Sequence, residues 1–134
     1  MITKNSDYAI RAILYLAGQR DRFVPSSEIA AQEKIPLIYL RRILRQLIKG
    51  QIAQSKEGVS GGIKLKVEPK DISVAQIINI IQGGIQILDC MFRNEVCENR
   101  AHCILRKRIL GIEDKVKQEF LQLSVQDLLD DSKK

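Results

Sequence analysis

Two adjacent stretches decide the fold: Leu37-Ile38-Tyr39-Leu40-Arg41-Arg42-Ile43-Leu44-Arg45-Gln46-Leu47-Ile48-Lys49, and then Lys56-Glu57-Gly58-Val59-Ser60-Gly61-Gly62-Ile63-Lys64-Leu65-Lys66-Val67. In the first, Leu37, Leu40, Ile43, Leu44, Leu47 and Ile48 recur at steps of three and four, the period of one buried helix face. Ile38, Arg41, Arg42, Arg45 and Lys49 recur on the opposite side. Ile35-Pro36 starts this helix and Gly50 closes it. In the second stretch, three glycines mark a turn between a short strand, Gln51 to Ser55, and an alternating apolar–basic strand, Ile63 to Val67.

Upstream, Pro25-Ser26-Ser27 opens a short helix over Glu28 to Glu33, with Ile29 and Ala30 inward. Two helices joined by a tight break, the second basic on its outer face, form the pattern of a helix-turn-helix whose second helix enters a DNA major groove. A glycine-tipped basic hairpin after them makes it a winged helix-turn-helix. Arg41 and Arg42 are then placed for base edges, because arginine pairs well with guanine. Tyr39, Arg45 and Lys49, with Lys56 and Lys64 from the wing, are placed for phosphates.

Further upstream, a first helix is expected from Ser6 to Ala17, capped by Asn5 or Ser6, with Tyr8, Ala9, Ala12, Ile13, Leu16 and Ala17 inward. Gln19 to Val24 reads as a charged loop. Downstream, Glu68-Pro69-Lys70-Asp71 is a connection, and Ser73 caps a helix over Val74 to Gln82 with Gln76 at capping-box distance. Gly83-Gly84 stops it.

Asp89 to Cys103 holds all three cysteines, Cys90, Cys97 and Cys103, with six and five residues between them. Thiolates at such spacing can converge on one soft-metal centre, zinc, copper(I) or iron–sulfur. Next comes the longest helical pattern, His102 to Leu121, where Leu105, Ile109, Ile112, Val116, Phe120 and Leu123 run close to a heptad seam. A lone stripe of this kind fits a two-fold partner helix, hence a homodimer. Ser124 caps a last helix, Val125 to Leu129, with Asp127 at capping-box distance, and Asp130 to Lys134 is expected to fray. The fold class is therefore mainly α with a small β-hairpin wing: a winged helix-turn-helix domain (1–82), a cysteine-containing loop (83–103), and a long dimerisation helix with a C-terminal tail (104–134).

Composition agrees. Residues 1–70 carry 13 Lys/Arg against 6 Asp/Glu, while 71–134 carry 9 against 10, so the net charge of +6 sits in the front half. That asymmetry suits a polyanion-binding module joined to something else. No apolar run approaches the roughly 20 residues of a membrane span. No cleavable leader is evident, and a cytoplasmic protein is expected, in which three cysteines serve as metal ligands or reactive thiols before disulfides. One histidine, no paired carboxylates and no phosphate-cradling glycine loop argue against an enzyme.

These features together resemble the IscR/NsrR/CymR family of bacterial winged-helix regulators. The resemblance rests on Ile2 to Ala12 as first helix, Leu37 to Leu44 as recognition helix, Gly58-Val59-Ser60-Gly61-Gly62 as wing, and the three cysteines before a long helix. It implies a homodimer, joined through that helix, which binds double-stranded operator DNA and changes affinity with the state of an iron–sulfur cluster (2Fe-2S or 4Fe-4S) held by the three cysteines. Family members that use a nitrogen ligand carry a histidine three residues after the last cysteine, where this chain has Arg106. Others use an acidic residue at the start of the first helix, reaching across to the partner's cluster, and Asp7 matches that position. His102 and then Glu98 are the next choices for a fourth ligand. Many relatives have an arginine directly before the first wing glycine, where this chain has Glu57, so Lys56 takes the phosphate or minor-groove role. Two rival readings share the sequence: a regulator with structural zinc or directly sensing thiols, and a cluster-binding interaction protein without DNA readout.

Cys103 would lie at the N-terminus of the long helix, where the dipole favours a thiolate, with Arg100 and Arg106 adding positive charge. Because the cysteine loop is tethered to that helix, cluster binding or loss could reposition the two recognition helices of a dimer.

Overall fold

The computed structural model describes residues 1–86 and 104–134. The order is α1 (Lys4–Ala17), α2 (Ser26–Glu33), α3 (Leu37–Lys49), β1 (Ala53–Lys56), β2 (Gly62–Leu65), a 3-10 turn (Pro69–Asp71), α4 (Val74–Gln82), α5 (Ile104–Gln122) and α6 (Val125–Ser132). This is the expected winged helix-turn-helix, followed by a long helix. Among the described residues no helix is long and apolar enough to cross a membrane.

All six inward residues expected of the first helix are buried, and Ala9, Ala12 and Ile13 are fully so. The start differs from the expectation. Thr3 is the cap, its hydroxyl accepting from the Ser6 amide at 3.2 Å, and the helix begins at Lys4. Ser6 is buried and donates its hydroxyl to Gln82 Oε1 at 2.6 Å. The same Gln82 oxygen accepts from the Thr3 amide at 2.9 Å, and Gln82 Nε2 donates to the carbonyls of Met1 and Gly84, both at 2.8 Å. One amide side chain thus clips the start of α1 to the exit of α4, satisfying two donors and two acceptors at once. The Met1 ammonium also reaches the Gln86 carbonyl.

On α3, Leu40, Ile43, Leu44 and Leu47 are buried, and Leu37 and Ile48 are half-buried at the rim of the same face. The helix packs on α1, α2 and α4. At the turn between α2 and α3, Lys34 takes a left-handed conformation (φ 54°). The Ile35 amide behind it donates to the Ala30 carbonyl at 3.0 Å, which turns the chain sharply enough to set α3 across α2.

The hairpin pairs antiparallel, Ala53 with Leu65, Gln54 with Lys64, Ser55 with Ile63 and Lys56 with Gly62. Gln51 has φ 66° and belongs to the turn, so the first strand starts later than the expected Gln51. Ile63 and Leu65 point into the core and Lys64 is half-exposed, as alternation requires. The segment read as a charged loop does more than connect. Val24, fully buried, forms an antiparallel bridge with Ile63, through two amide–carbonyl bonds of 2.8 Å. Gly62 makes that approach possible: its φ is +147°, and a Cβ there would lie 2.4 Å from the Val24 carbonyl.

The back of the chain returns to the front. The Val74 amide donates to the Leu123 carbonyl and the Val125 amide to the Ile72 carbonyl, both at 2.8 Å, pinning the α5–α6 corner against the start of α4. Ser124 and Asp127 complete the capping box, at 2.9 and 3.0 Å. Val125 is fully buried in the main core and Leu129 packs against it. The last helix runs to Ser132, three residues beyond the expected Leu129, so much of the segment expected to fray is helical.

The expected α5 seam divides. Val116, Phe120 and Leu123 pack with Val74, Ile78 and Ile85 into a second small core, whereas Leu105 (66% exposed) and Ile112 (54%) face solvent together with Ile104.

Candidate functional site

The outer face of α3 carries Ile38, Tyr39, Arg41, Arg42, Arg45 and Lys49, all exposed. The burial of the opposite stripe is what turns these residues outward. Across from α3, the wing presents Lys56, exposed, and Lys64, half-exposed, with Val59 fully exposed at its tip and Glu57 exposed beside it. In the hairpin register, Lys64 faces Gln54, and Lys56 lies two residues along from Gln54, so both lysines leave the same side of the sheet.

The arginines of the head divide by charge compensation. Arg11 pairs with Asp7 at 3.3 Å, Arg20 with Glu68, and Arg22 with Glu28. Among the described residues, Arg41, Arg42, Arg45, Lys49, Lys56 and Lys64 belong to no ion pair. Six uncompensated cations on one recognition helix and one wing make a surface suited to a polyanion.

Beside the wing lies a cavity of about 440 Å³, lined by Arg22, Phe23, Pro25, Glu28, Lys56 and the wing residues Val59 to Gly61. Two of its lining residues, Arg22 and Glu28, belong to a polar triad with Tyr15. The Tyr15 hydroxyl donates to Glu28 Oε2 at 2.5 Å and Arg22 donates to both Glu28 oxygens. The bond to Glu28 raises the Tyr15 pKa above the ordinary phenol range, and the bonds from Arg22 and then Tyr15 hold the Glu28 carboxyl below its ordinary value. Phe23, half-buried, stands at the wall. The Lys64 and Lys56 ammonium groups lie 5.5 and 5.7 Å from its ring centroid. Reading Gln19 to Val24 as a charged loop passed over Phe23, although an aromatic residue next to a buried valine was the signal available.

Cys90, Cys97 and Cys103, with His102 and Glu98, lie outside the described residues. Among the described residues no cluster of three or more His, Cys, Asp or Glu is placed to hold a metal ion. Asp7 sits in the first turn of α1, over half exposed and paired with Arg11. The Gln82 clip brings that turn alongside Gly84 to Gln86, the approach to the cysteine segment. Arg106, three residues after the last cysteine, is on α5, and a guanidinium has no acceptor to offer a metal.

Comparison with known proteins agrees with this geometry. Residues 2–131 match the Rrf2 profile, described as an iron-dependent transcriptional regulator. An rrf2-like helix-turn-helix transcriptional regulator of Rhodobacter capsulatus is 34% identical over 116 residues, spanning 80% of this chain and 77% of that protein. The transcriptional repressor NsrR of Streptomyces coelicolor is 25% identical over 130 residues, spanning 96% and 87%. Among solved structures, CymR, the global cysteine regulator of B. subtilis, superposes with a TM-score of 0.80 at 25% identity, covering 97% of this chain and 96% of that one. With a wing, a recognition helix and a long following helix in the same order, and a match along nearly its whole length, this chain belongs to the Rrf2 family of DNA-binding transcriptional regulators.

Proposed function

We propose that the chain acts as a homodimer whose affinity for operator DNA is set by an iron–sulfur cluster held by Cys90, Cys97 and Cys103, with Asp7 supplied across the dimer. The observation that carries the DNA half is the set of six cations without ion pairs on α3 and the wing, in a head whose other arginines at 11, 20 and 22 are neutralised. Arg41 and Arg42 read base edges, Tyr39, Arg45 and Lys49 hold phosphates, and Lys56 and Lys64 reach the backbone from the wing. The exposed apolar residues Ile104, Leu105 and Ile112 support a two-fold contact through the first half of α5.

The donor set fits the cluster. Three thiolates are the soft ligands that iron–sulfur centres take, and an exposed carboxylate held only by a surface ion pair is free to exchange Arg11 for a metal. When bound, such a cluster supplies redox or nitrosylation chemistry. This chain's part is to bind it, and to link it through Ile104 to α5 and through Ile85 to α4. A second reading keeps the same DNA head and has the thiols respond directly. The likeness to CymR, a cysteine regulator, favours it over a zinc site.

Two measurements test these readings. Duplex binding by fluorescence anisotropy, across salt, should show Arg41→Ala relaxing sequence preference by about 1–3 kcal/mol at one position. Lys64→Ala should weaken all sequences alike and reduce the salt slope by about one contact. Anaerobic purification with a visible spectrum and iron, sulfide and zinc per chain tests the cluster. Colourless protein after reconstitution, with thiol-dependent DNA binding, selects the second reading.

A further inference from the structure

The wing lysines pose an electrostatic problem that the DNA-binding reading does not solve. Lys56 and Lys64 leave the same side of a two-stranded hairpin, and two like charges there repel each other and fan out on long flexible stems. In the structure they do not fan out. Both ammonium groups converge on the Phe23 ring, at 5.7 and 5.5 Å from its centroid. That ring is fixed from behind: Val24, the next residue, is fully buried and bridged to Ile63 in both directions, and Gly62 has no side chain to hold the two strands apart. Phe23 is therefore held in register with the strand that carries Lys64. Its negative π-face supplies the attraction that gathers two cations.

We infer that Phe23 is a positioning residue for DNA binding: an aromatic platform that orders Lys56 and Lys64 before the duplex arrives, so that both meet the phosphate backbone without first losing their side-chain freedom. The inference rests on the wing contacting DNA as proposed above. Phosphates approach the ammonium groups from the side away from the ring, so the ring contacts remain in the complex. The platform lowers the entropic cost of two phosphate contacts and creates none of its own. It is indifferent to base sequence.

The decisive experiment is a double-mutant cycle read by duplex binding across salt. Phe23→Leu should weaken every duplex about five- to thirtyfold, as expected for two exposed cation–π contacts, with the salt slope retained because the lysines still reach phosphates. Phe23→Tyr, which keeps the π-face, should restore binding. In the Lys56→Ala/Lys64→Ala background, Phe23→Leu should have no further effect. A purely structural role in holding the Val24–Ile63 bridge would instead give the same loss in both backgrounds, and that result overturns the platform, as does a Phe23→Leu variant with wild-type affinity. The DNA-free protein gives a separate readout, since ring currents should shift the Lys56 and Lys64 side-chain methylene protons upfield and Phe23→Leu should abolish the shift. If the shift is present while Lys56→Ala/Lys64→Ala binds DNA normally, the wing's role in DNA binding is what fails. If the lysines matter but no shift exists, the platform fails alone.

Discussion

Placing a methyl group on Gly62 tests how the wing is attached. A Cβ there would lie 2.4 Å from the carbonyl carbon and oxygen of Val24, where ordinary contact begins near 3.4 Å, so the strands must part by about 1 Å. Parting them stretches the two 2.8 Å bonds between Val24 and Ile63 beyond useful length. Their loss costs about 1–3 kcal/mol at roughly 0.5–1.5 kcal/mol each. If the bridge instead stays closed, the residue must tolerate φ +147° as well as the collision, and the backbone strain alone is about 1–3 kcal/mol. Opening the bridge is the cheaper route. Gly62→Ala should therefore lower stability by about 1–3 kcal/mol in urea denaturation with an unchanged m-value. Hydrogen exchange should show lost protection at the Val24 and Ile63 amides while the α1 core keeps its own. Gly58→Ala is the control, because at φ +107° it carries strain but meets nothing within 4 Å. An Ile63 amide in Gly62→Ala as protected as before, or the same loss of protection in Gly58→Ala, would refute the claim that close approach to Val24 is what requires glycine.

Two further outcomes follow from the surface. If the chain is the homodimer proposed above, Leu105→Glu with Ile112→Glu should convert it to monomer in sedimentation. Both side chains are more than half exposed in the single chain, so each change should alter monomer stability by only about 0.5 kcal/mol. An unchanged sedimentation coefficient would remove α5 from the interface. In acid, Glu28, Glu68 and Asp127 have depressed pKa values in the folded state, so the unfolded chain binds their protons first. Their stabilisation is whole above the ordinary carboxylate range and is lost as pH falls through the lowered folded values. Glu28→Gln should flatten part of that fall in pH-dependent melting, and a profile as steep as wild type would show that the Tyr15–Glu28–Arg22 triad contributes nothing.

The head was legible because its elements declare themselves locally. The α3 stripe has helical period, so its burial on one side and its cations on the other follow from spacing alone. What the local pattern missed depends on partners far along the chain. Ser6 reads as a cap by composition, but its hydroxyl is taken by Gln82, and Thr3 caps instead. Val24 sits among charged residues and becomes a strand partner only because Ile63 reaches it. The α5 seam was read as one stripe with one purpose. Spacing reports that a face is apolar without saying what covers it, and half of this face turned out to be covered by α4. For the proposed metal centre, spacing named the cysteines and resemblance named Asp7.

The corner between α5 and α6 has a mechanical consequence. It is tied by the Leu123 and Val125 backbone bonds and plugged by a fully buried Val125, which makes it a fulcrum. From there α5 runs 19 residues, roughly 28 Å at 1.5 Å per residue, to Ile104, which follows directly on Cys103. Beyond the residues packed on α4, the stretch from Val116 back to Ile104 is roughly 18 Å, and a tilt of about 5° there would move the Ile104 end by roughly 1.6 Å while leaving the packed half in place. Seen from the cysteines, the helix is a reduction gear. In the dimer proposed above, a displacement of ångströms at the long arm would arrive at the DNA head as a few degrees of rotation, and two such levers facing each other across a two-fold axis would turn that rotation back into a change in the distance between recognition helices.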